Sequence, residues 1–472
     1  MTTPRPAPAI PPLTLSARPE RRLIRPTGSF RHVDFHLRVP PRPAGAVTPR
    51  PALHLALVLD RSGSMSGLKL DTAKRAALAV LDRLNERDRV AVVVFDSQVD
   101  VLQPAAPATA ALKASVREAL GAIQARASTA LHQGWLTGCH AIAADSPAAG
   151  PQIARCFLLT DGLANVGLTD PEQIATDAAG IREHAGVGTS TFGIGDDYDE
   201  ALLAPLAAAG GGQFHHLRSA EEIARTFAGE LGELFAVAAA GVALEIETGP
   251  GIAADVVSAY WSRGASPQPD PDASGVTGTS GVSGSRSTVA VGDLLAGEER
   301  HVVVRFAFPT APPGGAGGAP CRVRARVRWT DAADAADAAD AADAADAADA
   351  GTEQTTPWEA LAFTFAAHTA CDAEPRDPAV MHWVGLDHAG RARRDATERS
   401  KRGDLSGARA ALRSVARRLS EYATGDQELE ASLGELRDYE GVAAAAPVAP
   451  AVAKEAWYET QRRSRGQRDH RD

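Results

Sequence analysis

From Pro51 onward, short continuous apolar runs alternate with stretches whose apolar residues recur at helical spacing. Apolar runs at 54–59, 90–95 and 154–159, together with the less apolar stretches 189–194 and about 213–217, are too short for helices and read as buried strands. Residues 99–102, reached through the turn Asp96-Ser97-Gln98, read as a hairpin partner at the sheet edge. Helical stretches fall near 68–85, 109–124, 130–144, 171–185, 199–209 and 220–236. This alternation predicts a doubly wound, Rossmann-like α/β domain over 51–236.

After residue 237 the pattern changes to strands, at 241–247, 254–261, 287–291, 299–308, 321–330 and 356–366, predicting a β-sandwich over 237–370. Residues 28–39 alternate in the same manner through Phe30, Val33, Phe35 and Leu37, placing His32, Asp34 and His36 on the other, solvated face. One or more strands within 21–50 are expected to pair into the sandwich, so that the α/β domain is an insertion in it. A helical segment follows over 371–440, broken at Gly403-Asp404. Its arginine-rich face (Arg391, Arg393, Arg394, Arg399, Lys401, Arg402) reads as solvated, with an acidic partner as the alternative. The proline-rich residues 1–20 and the tail 441–472 are expected to be disordered, and the Ser/Gly/Pro-rich stretch 262–286 to be a mobile loop.

Composition adds three constraints. Hydrophobic residues make up 44% of the chain but aromatics only 5%, so the core is built from Ala, Val and Leu. The formal net charge is −10, yet seven of those charges belong to the Asp-Ala-Ala repeat within 331–350, and the near-neutral remainder excludes a broad nucleic-acid footprint. An aspartate every third residue spirals around a helix rather than lining one face, so the repeat reads as a solvated, low-complexity loop; an acidic Ca2+ sponge is the alternative. No apolar run is long enough to span a membrane, and the first residues lack the apolar core of a signal peptide. Cys139, Cys156, Cys321 and Cys371 lack paired spacing and read as buried free thiols, with a Cys139/His140/Cys156 zinc site as a weaker alternative. The expected location is the cytoplasm.

The chemistry concentrates where strands end. The run Leu55-Ala56-Leu57-Val58-Leu59 empties into Asp60-Arg61-Ser62-Gly63-Ser64, one carboxylate and two hydroxyls that alternate to one side of an extended loop. Phe157-Leu158-Leu159-Thr160-Asp161-Gly162 ends a second buried strand in a carboxylate, and Ser128-Thr129 precedes a helix. Oxygen-only side chains suit a hard divalent cation. The alternative makes Asp60 a helix cap and the serines turn residues, and leaves Thr129 and Asp161 as coincidences.

At these residues the chain resembles the von Willebrand factor A (vWA) superfamily, whose metal-ion-dependent adhesion site (MIDAS) follows the order DxSxS, then Thr, then Asp. The resemblance covers roughly 51–236 and implies that Asp60, Ser62, Ser64, Thr129 and Asp161 bind Mg2+, with Mn2+ or Ca2+ as alternatives. It also implies the strand order 3-2-1-4-5-6, which puts Asp60 and Asp161 on neighbouring strands at the topological switch point. In that family the aspartates often act through water, leaving the cation short of negative charge. A Glu or Asp of a partner protein then completes its shell, and the helix at 220–236 is the usual responder. The expected function is therefore a non-enzymatic, metal-dependent protein-interaction module of the bacterial multidomain type, without nucleic acid or a membrane span. The alternative is an accessory subunit of a chelatase- or MoxR-type machine, whose ATPase is a separate polypeptide because this chain has no P-loop.

Other patterns are weaker. Gly193-Ile194-Gly195 with Asp196-Asp197 lacks a third spaced glycine and would repel phosphate. His215-His216 belong to the last strand of the α/β domain. The serines lack a relay and a G-x-S-x-G elbow, and no general base stands apart from the ligand aspartates, which argues against a hydrolase.

Overall fold

The computed structural model describes residues 13–41, 52–144, 152–161, 164–195, 198–217, 220–264, 285–311, 320–331 and 353–445. The chain begins with β1 (Thr14–Pro19), β2 (Leu23–Ile24) and β3 (Ser29–Arg38). It then enters the α/β domain through β4 (Ala52–Asp60), α1 (Leu68–Arg83), β5 (Arg89–Phe95), β6 (Val99–Pro107), α2 (Ala110–Ala122) and α3 (Leu131–Ala143). The domain closes with β7 (Gln152–Thr160), α4 (Pro171–Ala185), β8 (Gly188–Ile194), α5 (Glu200–Ala209), β9 (Gly211–Leu217) and α6 (Ala220–Ala236). Its sheet has the order β6-β5-β4-β7-β8-β9, parallel except for β6.

The central strand β4 is apolar on both faces because both are covered. Leu55, Leu57 and Leu59 pack under α1 and α6, while Ala56 and Val58 face α3, α4 and α5. Two glycines bring α3 unusually close to the sheet. A Cβ at Gly138 would lie 2.3 Å from Val58 Cγ2, and one at Gly134 2.5 Å from the Phe95 ring. That approach fixes the depth of the α3 N-terminus, and with it Thr129.

The remaining strands are β10 (Val237–Thr248), β11 (Ala253–Val256), β12 (Trp261–Gly264), β13 (Arg286–Leu295), β14 (Glu299–Phe308), β15 (Cys321–Asp331), β16 (Glu353–Thr355) and β17 (Glu359–Phe365). They form two sheets, β1-β3-β14-β11 and β12-β13-β10-β15-β17-β2 with β16 on β15. Val33, Phe35, Leu37, Val302, Val304 and Phe306 from the first sheet share one core with Leu244, Ile246, Val323, Val327 and Phe363 from the second. Helices α7 (His368–Ala373), α8 (Pro378–Lys401), α9 (Leu405–Ser420) and α10 (Gln427–Ala445) follow. Val380, Met381 and Val384 of α8 cover the outer face of the first sheet at Val303.

Several expectations need correction. Residues 14–19, assigned to a disordered arm, form β1 because Leu15, Ala17 and Pro19 register against Leu37, Phe35 and Val33 on β3. Residues 441–445, assigned to a disordered tail, prolong α10. The single strand at 254–261 is two, in different sheets. His32, Asp34 and His36 lie beneath α8 rather than in solvent: His32 meets His388, and His301 stacks between His36 and Trp383. The arginine face is likewise engaged. Arg391 reaches Asp255 and donates to Val256 O at 2.6 Å, and buried Arg393 pairs with Glu435. Residues 1–12 of the proposed arm, Gly162, Asp196 and Asp197, most of 262–286, residues 332–350 of the repeat and the tail beyond 445 lie outside the described residues.

One buried carboxylate ties the α/β domain to the sheets. Asp293 on β13 pairs with Arg155 on β7 and Arg182 on α4, and accepts a 2.8 Å bond from Gly241 N on β10. Burial raises the Asp293 pKa, but the two guanidinium charges and the amide outweigh it and hold the carboxyl below its ordinary value of 3.8.

Two outcomes follow from this packing. Gly138→Ala lowers stability by about 1–2 kcal/mol in denaturant titration, because overpacking against rigid Val58 exceeds the gain in helix propensity. Asp293→Asn costs about 3–5 kcal/mol at neutral pH by leaving two buried guanidinium groups uncompensated. A carboxyl depressed in the fold stabilises above its unfolded value and loses that contribution as pH falls below about 4, so Asp293→Asn also flattens the acid limb of the stability–pH curve.

Candidate functional site

The carboxyl ends of β4 and β7 lie side by side, and the chain leaves them in opposite directions, opening a crevice at the switch point. Asp60 is fully buried there. Its Oδ1 accepts the Ser62 amide at 2.7 Å and its Oδ2 accepts the Thr160 hydroxyl at 2.5 Å. Both oxygens are thus committed to the protein. Burial pushes the carboxyl up to about 6, against the bonds from Thr160 and Ser62 and with a further push from Asp161.

Ser62 keeps extended geometry, but Gly63–Met65 form a 3-10 turn, so the loop is not extended throughout as its alternation suggested. The turn still brings the hydroxyls together: Ser62 Oγ and Ser64 Oγ are 3.1 Å apart, and Ser64 Oγ donates to Asp161 Oδ1 at 2.9 Å. Thr129 is 98% buried in the adjoining loop. Its amide donates to Asn165 Oδ1 at 2.8 Å, while its carbonyl accepts from the amides of Asn165 and Val166, both at 3.2 Å.

Backbone bonds lace these loops to one another. Arg61 N donates to Phe95 O, Gly63 N to Ala127 O, Arg126 N to Arg61 O, and Ala130 N to Asp96 O. Ala127 sits at φ 59°, a left-handed conformation costly for a residue with a Cβ and held here by its neighbours. Four of the five predicted residues therefore fall on one hydrogen-bonded chain, and Thr129 stands on the adjoining loop.

Sequence reasoning missed three contributors. Lys69, at the start of α1, sends its ammonium to Asp161 Oδ2 at 2.5 Å. Gly195, at φ +77°, leaves room for that side chain: a Cβ there would be 3.2 Å from Lys69 Cε. Asp96, also buried, accepts from Arg61 Nε and Arg126 Nε at 2.8 Å each and from Gln98 N at 2.8 Å. Burial raises the Asp96 pKa, but these bonds outweigh it and leave the carboxyl below its ordinary value. The available signal was Arg61 inside the Asp60 motif and Lys69 shortly after it; nothing beside Asp161 or Asp96 in sequence pointed to these partners.

Chemically, the cluster offers hydroxyl and carboxylate oxygens 2.9–3.1 Å apart. Ligands about 2.1 Å from an octahedral Mg2+ would be roughly 3.0 Å from one another, so this donor set fits a hard cation. Elsewhere, His36, Glu299 and His301 lie together, but the two imidazole rings stack nearly parallel with centroids 4.3 Å apart, and their in-plane lone pairs do not converge on one point. Cys139 and Cys156 are fully buried and unpaired while His140 is exposed, so the three do not form a zinc site. Gly193 makes room for the Tyr198 ring, His215 bonds the buried Glu230, and His216 bonds Tyr198; none of these serves a second site.

This sheet order and crevice define an α/β domain of the von Willebrand factor type A kind. The sequence profile of the von Willebrand factor type A domain matches residues 54–228, so that this stretch of the chain carries a VWA-type domain. The chain is 27% identical over 263 residues to an uncharacterized protein of Synechocystis, covering 56% of this chain and 59% of that one. It is 31% identical over 165 residues to human inter-alpha-trypsin inhibitor heavy chain H4, covering 34% and 17%. The chain thus spans less than two thirds of the length of these relatives. Among solved structures, a von Willebrand factor type A protein from Catenulispora acidiphila superposes over 96% of both chains with a TM-score of 0.65 at 19% identity. The ArnB paralog VWA2 from Sulfolobus acidocaldarius gives 0.57 at 14%, over 96% of this chain and 98% of that one. Both likenesses are of fold. Among the described residues no helix is long and apolar enough to cross a membrane.

The Asp96 network makes a direct prediction. Asp96→Ala leaves the buried Arg61 guanidinium with only its pair to half-exposed Asp100 and lowers stability by about 2–3 kcal/mol in chemical denaturation, with protection of the 61–64 and 126–130 amides lost first in hydrogen exchange.

Proposed function

We propose that Asp60, Ser62, Ser64, Thr129 and Asp161 form a metal-ion-dependent adhesion site for Mg2+, with Mn2+ or Ca2+ as alternatives, and that the protein is a non-enzymatic module binding an acidic residue of a partner protein. The observation carrying this reading is the run of oxygens Ser62 Oγ, Ser64 Oγ and Asp161 Oδ1 at octahedral spacing in the crevice. On this reading the paired sheets are a β-sandwich carrying the inserted VWA domain. The unpaired state of the described cysteines supports a reducing, cytoplasmic setting.

Each side chain then has a definable task. Asp60, with both oxygens engaged, orients Ser62 and the β7 end instead of touching the ion. Ser62, Ser64 and Thr129 supply neutral oxygens. Asp161 supplies charge, part of which Lys69 already neutralises. A cation held this way retains positive charge, which favours a carboxylate from outside. Leu68, 79% exposed on the rim, offers that partner an apolar contact. No described feature favours the accessory-subunit reading with its separate ATPase.

Mn2+ binding to the intact protein, followed by electron paramagnetic resonance and calorimetry, tests the proposal. Asp161→Ala should weaken binding by tenfold or more. Lys69→Met should strengthen it, by removing a positive charge from the metal's neighbourhood. Binding indifferent to both substitutions would overturn the site.

A further inference from the structure

A cavity of about 220 Å3 lies far from the crevice, where the end of β1 and the strand β3 meet α8 and α9. Its lining is unusual in charge. Arg21, Arg31, Arg376 and Arg418 surround it, against two carboxylates, Glu20 and Glu421.

The partners of these arginines are poor. Arg31 spends its donors on the carbonyls of Leu23 and Phe30. Among the described residues Arg418 reaches only Ser414 O, at 3.4 Å. Arg21 Nε is buried with no hydrogen-bond partner among the described residues. Arg376 makes the one ion pair of the group there, to Glu20 at 3.9 Å, and Glu20 is already engaged by His32. Gathering guanidinium groups around a partly enclosed space without matching carboxylates costs free energy, and a bound anion recovers it.

The rest of the lining agrees. Tyr422 sits in the wall, and His388 faces His32 with their Nε2 atoms 3.4 Å apart. Burial, then His32, Arg418, Arg391 and Arg305, push His388 down to about 3, so it stays neutral and leaves the positive potential to the arginines. Met381, Val384 and Leu419 supply an apolar floor. The volume is below the 300 Å3 or so at which drug-sized ligand sites begin, which restricts the occupant to a compact molecule.

We propose that this cavity is a binding site for a small multivalent oxyanion with a short apolar portion, of the phosphate-monoester or dicarboxylate class, held by Arg21, Arg31, Arg376 and Arg418. It is independent of the metal site and of its partner.

Calorimetric titration of the full-length protein at constant ionic strength, with phenyl phosphate, inorganic phosphate and succinate as probes, tests it. At least one probe should bind saturably with Kd below about 1 mM. The ranking of phenyl phosphate against succinate tells phosphate from carboxylate recognition. Arg376→Gln and Arg418→Gln, both at exposed positions, should each weaken that probe about tenfold, with thermal unfolding of the free proteins as the folding control. Absence of saturable binding by all three probes, or affinities unchanged in the double variant, would overturn the proposal.

Discussion

The buried Asp293 carboxylate is the constraint on which the arrangement of the molecule rests. It faces Arg155 from the centre of the α/β sheet, Arg182 from α4 and the Gly241 amide from β10. Two charged donors from one domain meet one acceptor from the other, all of them largely removed from water. Removing the acceptor exposes both domains to the cost of an unpaired buried charge, which is what makes the junction specific as well as tight. The crevice is then presented in a fixed orientation relative to the sheets and the C-terminal helices.

The same logic bears on movement. Helix α6 leads without a break into β10, and Glu230 within it accepts from Ser190 at 2.6 Å and bonds His215 at 2.9 Å. Burial raises the Glu230 pKa, but His215 and Ser190 outweigh it and keep the group a carboxylate. Phe227 packs on Phe157 and Phe192 beside it. Any axial shift of α6 has to break these buried bonds and pull on β10, an interior strand of the neighbouring sheet. A change at the crevice could therefore travel into the two-sheet unit through β10, though only against a substantial restoring force.

The two proposed sites divide the molecule by charge. At the crevice, carboxylates and hydroxyls collect around a space suited to a cation, with Lys69 and Arg61 beside them. In the cavity under α8 and α9, arginines collect around a space suited to an anion. In both places charged groups are held closer together than water alone would favour, and the packing of apolar elements holds them there: α3 on β4 in one case, α8 on β14 in the other.

The chain itself determined the central strands of the α/β domain, because β4, β5 and the latter half of β7 are apolar on both faces and cannot be surface segments. It also determined that Asp60 and Asp161 end two such strands, which is why the motif was legible. The strand at Ser29–Arg38 could be read from its alternation. What tertiary structure decided is which polar faces meet. Lys69 lies nine residues beyond Asp60 yet bonds Asp161, and Asp96 collects Arg61 and Arg126 from separate loops. Arg155 and Arg182 find Asp293 more than a hundred residues later. The β1 strand and the His32–His36 face looked like solvated chain because alternation reports only that one face is apolar. It does not say what covers the other face, and here α8 covers it. Hydrophobic periodicity is a local property of the sequence, whereas ion pairs and buried polar contacts depend on long-range docking.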